Sequence, residues 1–146
     1  MVDSGIVIRE AVIADSEALA ALSGQLGYPA SADDIRKRLS KIIEHDENCA
    51  FTAVMNGRVI GWIHAFLTFR LESPAFVEIA GLVVDENRKG AGAGRELVNA
   101  VIGWASNVNV ASVRVRSNAK RQNAHDFYRH IGFDDIKDQK VFSREL

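Results

Sequence analysis

The chain has 146 residues, enough for one domain with a full core, and its 47% hydrophobic and 25% charged residues are ordinary for a globular fold. A formal net charge of -1 gives no ground for a general nucleic-acid binder or an anionic-membrane binder. The single cysteine, Cys49, excludes an intrachain disulfide and a cysteine-rich zinc site, and it fits a reducing, cytoplasmic setting. The N-terminal MVDSGIVIREA lacks the basic end and apolar core of a secretory leader, and no apolar run approaches the roughly 18 residues of a membrane span.

Along the chain, GIVIREA (5–11) reads as a first strand, with Ile6 and Ile8 on one face and Val7 and Arg9 on the other. Asp15 precedes a helix in which Ala18, Leu19, Leu22 and Leu26 recur at helical spacing, with Gly27 as its stop. A second helix spans 31–46, capped by Ser31 and striped by Ile35, Leu39, Ile42 and Ile43. Three strands follow at 49–55, 58–70 and 75–85, the first two joined by the hairpin dipeptide Asn56-Gly57. A helix at 94–106 carries Leu97, Val98, Val101 and Ile102 on one face, and ASVRVRS (111–117) alternates as a strand. A short helix at 121–132 closes on Gly132, and the remaining FDDIKDQKVFSREL is expected to supply one or two edge strands with Val141 and Phe142 packed. The order β-α-α-β-β-β-α-β-α-β implies an α/β (mixed α+β) domain spanning 1–146. Its central sheet is mixed and mostly antiparallel, with helices on both faces.

The stretch VVDENRKGAGAGRELV (83–98) places Gly90, Gly92 and Gly94 between a strand and a helix, flanked by Arg88, Lys89 and Arg95. A helix N-terminus behind a glycine turn is an anion cradle, because the first-turn N–H groups are free and the helix dipole favours negative charge. The spacing is GxGxG rather than the dinucleotide GxGxxG, four strands precede it, and the next strand carries no acid. The Walker A Lys-Ser/Thr pair is also missing.

This stretch resembles the acetyl-coenzyme-A signature of the GCN5-related N-acetyltransferase (GNAT) superfamily, falling on Lys89-Gly90-Ala91-Gly92-Ala93-Gly94. AHDFYRHIGF (124–133) is similar to the family's final helix, and the element order resembles the family fold over nearly the whole chain. The resemblance implies acetyl coenzyme A as donor cosubstrate, with its pyrophosphate on the loop N–H groups and on Lys89 and Arg95. It implies the pantetheine arm along Leu82, Val83 and Val84, where the family splays two strands. Many relatives carry Asn at the place of Arg121, so coenzyme contacts here are expected from Arg121 and Asn123.

For the chemistry, the resemblance implies Tyr128 as the acid that protonates the departing thiolate, a role a phenol can fill. Many relatives have an acidic residue where Ala80 and Gly81 stand, so the base is expected at Glu78, on the same face as Ala80 by strand alternation. His64 is a second candidate, and a water a third. Cys49 has no histidine partner that would make it a nucleophile, and direct transfer without a metal is the family's usual course. The acceptor is expected among Tyr28, Trp62, His64, Phe66, Phe69 and Arg70. Trp62, His64 and Phe66 share one parity, and Phe69 has the opposite, core-facing one. Glu78, Asp33 and Asp34 favour a cationic acceptor, whereas Arg70 favours an acidic one. The expected activity is acetyl transfer to a primary amine of a small molecule. Protein lysine or N-terminal acetylation and a non-catalytic acyl-coenzyme-A module are the alternatives. A homodimer through the C-terminal edge is implied as well.

Overall fold

A computed structural model describes residues 5–146; the acidic start of the N-terminal stretch, residues 1–4, lies outside them. The chain divides into two compact units, one ending at Val115 and the other running from Arg116 to Leu146.

In the first unit, five strands form one sheet in sequence order: β1 (Ile6–Glu10), β2 (Asn48–Met55), β3 (Arg58–Thr68), β4 (Phe76–Val84) and β5 (Val113–Val115). β1 to β4 pair antiparallel and β5 joins β4 in parallel, as a helical crossover requires. The β2–β3 hairpin turns at Asn56 and Gly57, both at positive φ (51° and 77°), the primed turn that matches strand twist.

Three helices complete this unit: α1 (Ser16–Gln25), α2 (Ala32–Glu44) and α3 (Ala93–Asn107). Asp15 anchors the entry to α1: its carboxylate takes both guanidinium N–H groups of Arg9 at 2.8 Å and the Val12 N–H at 2.9 Å. α2 starts at the expected cap, where the Ser31 hydroxyl accepts from the Asp34 N–H at 3.0 Å. Leu19 and Leu39 bury together with Ala11, and Trp62 of β3 and Ala50 of β2 pack on that cluster. α3 covers the other face, where a Cβ added at Gly61 would lie 3.2 Å from Leu97. Helices on both faces are therefore as expected.

The second unit holds α4 (Gln122–His130), ended by Gly132 at φ 101°. Two expectations fail here and at the β3 end. Residues 134–146 form no strand, and Val141 and Phe142 are 81% and 88% exposed rather than packed. Alternation in KVFSREL supplies only local preference, and a strand also needs ladder partners. Phe69 is 75% exposed rather than core. β3 ends at Thr68, so strand parity no longer governs it.

Candidate active site

The glycine loop leaves β4 through Asp85, whose carboxylate accepts from the Asn87 N–H at 3.0 Å and so shapes a short 3-10 turn, Glu86–Arg88. Gly90 and Gly92 then adopt φ of 88° and 94°, a region costly for side-chain-bearing residues. A Cβ at either glycine would meet nothing within 4 Å, so packing does not demand glycine there. The space beside the backbone is open. Gly92 is also the N-cap of α3, and no side chain caps it. The first-turn N–H groups of α3, through Ala93, Gly94 and Arg95, are left for an anion. Ala93 buries its methyl in the core, while Lys89, Gly90 and Arg95 are exposed and Ala91 is half-buried. Gly94 is within the helix, so the turn itself uses two of the three glycines.

Pairing between β4 and β5 covers Val77, Glu78 and Ile79 alone, yet β4 runs on to Val84. From Ala80 to Val84 the β5 side of β4 has no strand partner among the described residues. Leu82, Val83 and Val84 occupy this open edge, which leads directly into the glycine loop. An extended amide-bearing chain could pair there as an added strand.

A bulge sits at the start of that edge. Ile79 pairs with Ala65 and Gly81 with His64, so Ala80 is the inserted residue. Alternation does not carry through it: the register puts Glu78, opposite Phe66, on the same face as Gly81, opposite His64. Glu78 is thus brought beside Phe66 and His64, for a different reason from the one the sequence suggested. Trp62 closes over the bulge, since a Cβ at Gly81 would lie 2.9 Å from two of its ring atoms. It is a floor of the site packed on the α1–α2 cluster rather than a free wall.

His64 stands on this face with Asn48, half-buried, its Nε2–H donated to Asn48 Oδ1 at 2.8 Å. Burial pushes the imidazole below its ordinary pKa, so it is neutral at physiological pH. With Nε2 committed as donor, Nδ1 carries the lone pair. Asn48 was missed in the sequence, although counting back from the Asn56-Gly57 turn pairs it with the His64 strand. Cys49 is buried, and burial pushes its thiol up to about 12, which removes it as a nucleophile.

In the second unit, Tyr128 lies edge-on to Phe127 and Phe133 at 5.2 and 5.6 Å. Burial raises its pKa, and the Arg121 charge opposes this in part, so the phenol stays protonated. Arg121 is the N-cap of α4, and both it and Asn123 are exposed. Of the remaining acceptor candidates, Tyr28 and Arg70 are exposed. Asp33 is tied to Arg36 at 3.0 Å and to Lys37 at 3.2 Å on its own helix. Among the described residues no cluster of His, Cys, Asp and Glu is arranged to hold a metal ion, and no helix is long and apolar enough to cross a membrane.

The acetyltransferase (GNAT) family model matches residues 17–133. The aminoglycoside N(6')-acetyltransferase type 1 of Stenotrophomonas maltophilia is 30% identical over 153 aligned positions, which cover 100% of this chain and 97% of that protein. The fold recurs in the aminoglycoside 6'-N-acetyltransferase AAC(6')-Ih of Acinetobacter baumannii (TM-score 0.86, 16% identity, 97% of this chain and 99% of that one). It recurs also in AAC(6')-Iy solved with coenzyme A (TM-score 0.84, 20% identity, 96% and 94%). The open β4 edge, the uncapped glycine turn and the family match over most of the chain agree: the protein belongs to the GNAT acetyltransferase family and is an acetyl-coenzyme-A-dependent N-acetyltransferase.

Proposed function

We propose that the protein transfers the acetyl group directly from acetyl coenzyme A to a primary amine of a small molecule, as one N-acetyltransferase domain spanning 1–146. The observation that carries this reading is the unpartnered edge of β4 running from the bulge at Ala80 into the open turn at Gly90 and Gly92. The full-length likeness to an aminoglycoside acetyltransferase supports a small acceptor over a protein one. The family match crosses the boundary between the two units, which supports a single functional domain.

In this reading the pyrophosphate rests on the N–H groups of Ala93, Gly94 and Arg95 beside the turn at Gly90 and Gly92, with Lys89 and Arg95 adding charge, and Arg121 and Asn123 contribute further contacts. The pantetheine arm pairs with Leu82, Val83 and Val84. The ammonium of the acceptor loses its proton to Glu78, to His64 Nδ1, or to water held by either. The neutral amine adds to the thioester carbonyl, and collapse of the adduct breaks the C–S bond. Tyr128 gives its proton to the thiolate, which leaves as the free thiol, and the surplus proton on the new amide nitrogen returns through water to the Tyr128 phenolate. The buried thiol of Cys49 supports a reducing, cytoplasmic location. The exposed apolar side chains of Ile136, Val141 and Phe142 support a homodimer that covers the C-terminal segment. Sedimentation at micromolar concentration is expected to give the dimer, and a 16.0 kDa species alone would refute it. Thiol release from acetyl coenzyme A across a panel of amines tests the function itself.

A further inference from the structure

Phe76 lies on the Glu78 face of β4 and is 1% exposed. Two guanidinium groups stack on its ring, Arg114 with Cζ 4.0 Å from the centroid and Arg70 at 5.4 Å. Arg70 is held loosely by Glu72 at 3.5 Å. Arg114 is half-buried on β5, in register with Glu78, and its guanidinium makes no hydrogen bond or ion pair with any described residue. A partly desolvated cation that no carboxylate contacts is costly, and the ring offsets only part of that. Five planar N–H donors are left, the geometry that takes a carboxylate on two parallel bonds. The acids that would suit a polycation are weaker partners, since Asp33 is already paired within α2.

From this we infer that the acceptor is a short amine that also carries a carboxylate, received by Arg114 with Arg70 beside it, and not a polycation. The inference rests on the transferase reading and narrows its substrate class. Glu78 is next to Arg114 across one strand spacing of about 4.8 Å, so amine and carboxylate are separated by a few bonds, as in an amino acid.

The test is the ratio of kcat/KM within matched pairs: lysine against cadaverine, phenylalanine against phenethylamine, with kanamycin as the polycation. The carboxylate member is expected to be preferred. Arg114→Gln should lower that ratio about 10–100-fold, mainly through KM, the loss of a charge-assisted pair. Arg114→Lys, which keeps charge but not the fork, should recover part of it. A purely structural arginine covering Phe76 would lower the melting temperature and affect both members alike, leaving the ratio unchanged, and that result overturns the inference. If Arg114→Gln does not fold, Arg114→Lys decides: a ratio equal to that of the native protein overturns it. Preference for the decarboxylated amines or kanamycin overturns it as well. So does failure of every carboxylate member while acetyl coenzyme A still binds by calorimetry. Absence of acetyl-coenzyme-A binding overturns the transferase reading instead.

Discussion

Replacing Gly92 with Ala separates a turn that is merely strained from a turn that seats a phosphate. At φ 94° an L-residue costs about 1–2 kcal/mol. The new methyl meets no protein atom within 4 Å, so no clash adds to that cost. For a chain of this length the melting temperature should fall about 2–8 °C. Gly57→Ala is the matched control, because Gly57 has φ 77°, equally open surroundings and a place in the β2–β3 hairpin. The two variants should lose similar stability. Only Gly92→Ala puts carbon where the pyrophosphate is expected, and loss of one charge-assisted N–H contact corresponds to roughly 10–100-fold in affinity. Calorimetric titration of acetyl coenzyme A into both variants, well below their melting temperatures, reads the difference. Equal affinities would refute the assignment of the turn to the phosphates.

Tyr128→Phe should leave coenzyme affinity nearly unchanged and lower kcat about 10²–10⁴-fold, the range for a positioned proton donor; unchanged kcat with chemistry rate-limiting would make Tyr128 a packing residue. If His64 is the base, kcat/KM should hold through pH 6.5 and fall below it, because burial keeps the imidazole neutral to lower pH than in the unfolded chain. His64→Gln should then abolish that acid limb, and a limb with unchanged midpoint would hand the role to Glu78. Asp15→Asn should destabilise the fold by about 1–3 kcal/mol, towards the lower end because Arg9 is partly solvated. Arg9 lowers the Asp15 pKa, so this stabilisation is present above the unfolded carboxylate pKa near 3.8 and is lost as pH falls through the lower folded value. Urea unfolding of the native protein and the variant should therefore converge at low pH, and a difference independent of pH would refute the ion-pair account.

The glycine loop, the Asn56-Gly57 turn and the Ser31 cap were legible because each is local chemistry: φ signs, a hydroxyl and a backbone N–H within a few residues. Other features depend on partners that no local pattern names. The bulge at Ala80 arises from the β3–β4 register, so parity through FVEIAGLVV misassigned what Glu78 shares a face with. The shortness of β5 creates the open β4 edge, yet ASVRVRS alternates well beyond the three residues that pair. VRVR does put its two arginines on one face of a half-buried strand, but that pattern names neither a partner nor a ligand for Arg114. Its stacking on Phe76, 38 residues earlier in the chain, is tertiary and left no local mark.

The most direct test of the central claim is thiol release from acetyl coenzyme A by the native protein, followed with and without a panel of primary amines. Amine-dependent release that saturates in both substrates is expected, with an N-acetylated amine formed for each thiol freed. Saturable binding of acetyl coenzyme A with no release above the amine-free rate, across amino acids, diamines and aminosugars alike, would contradict it.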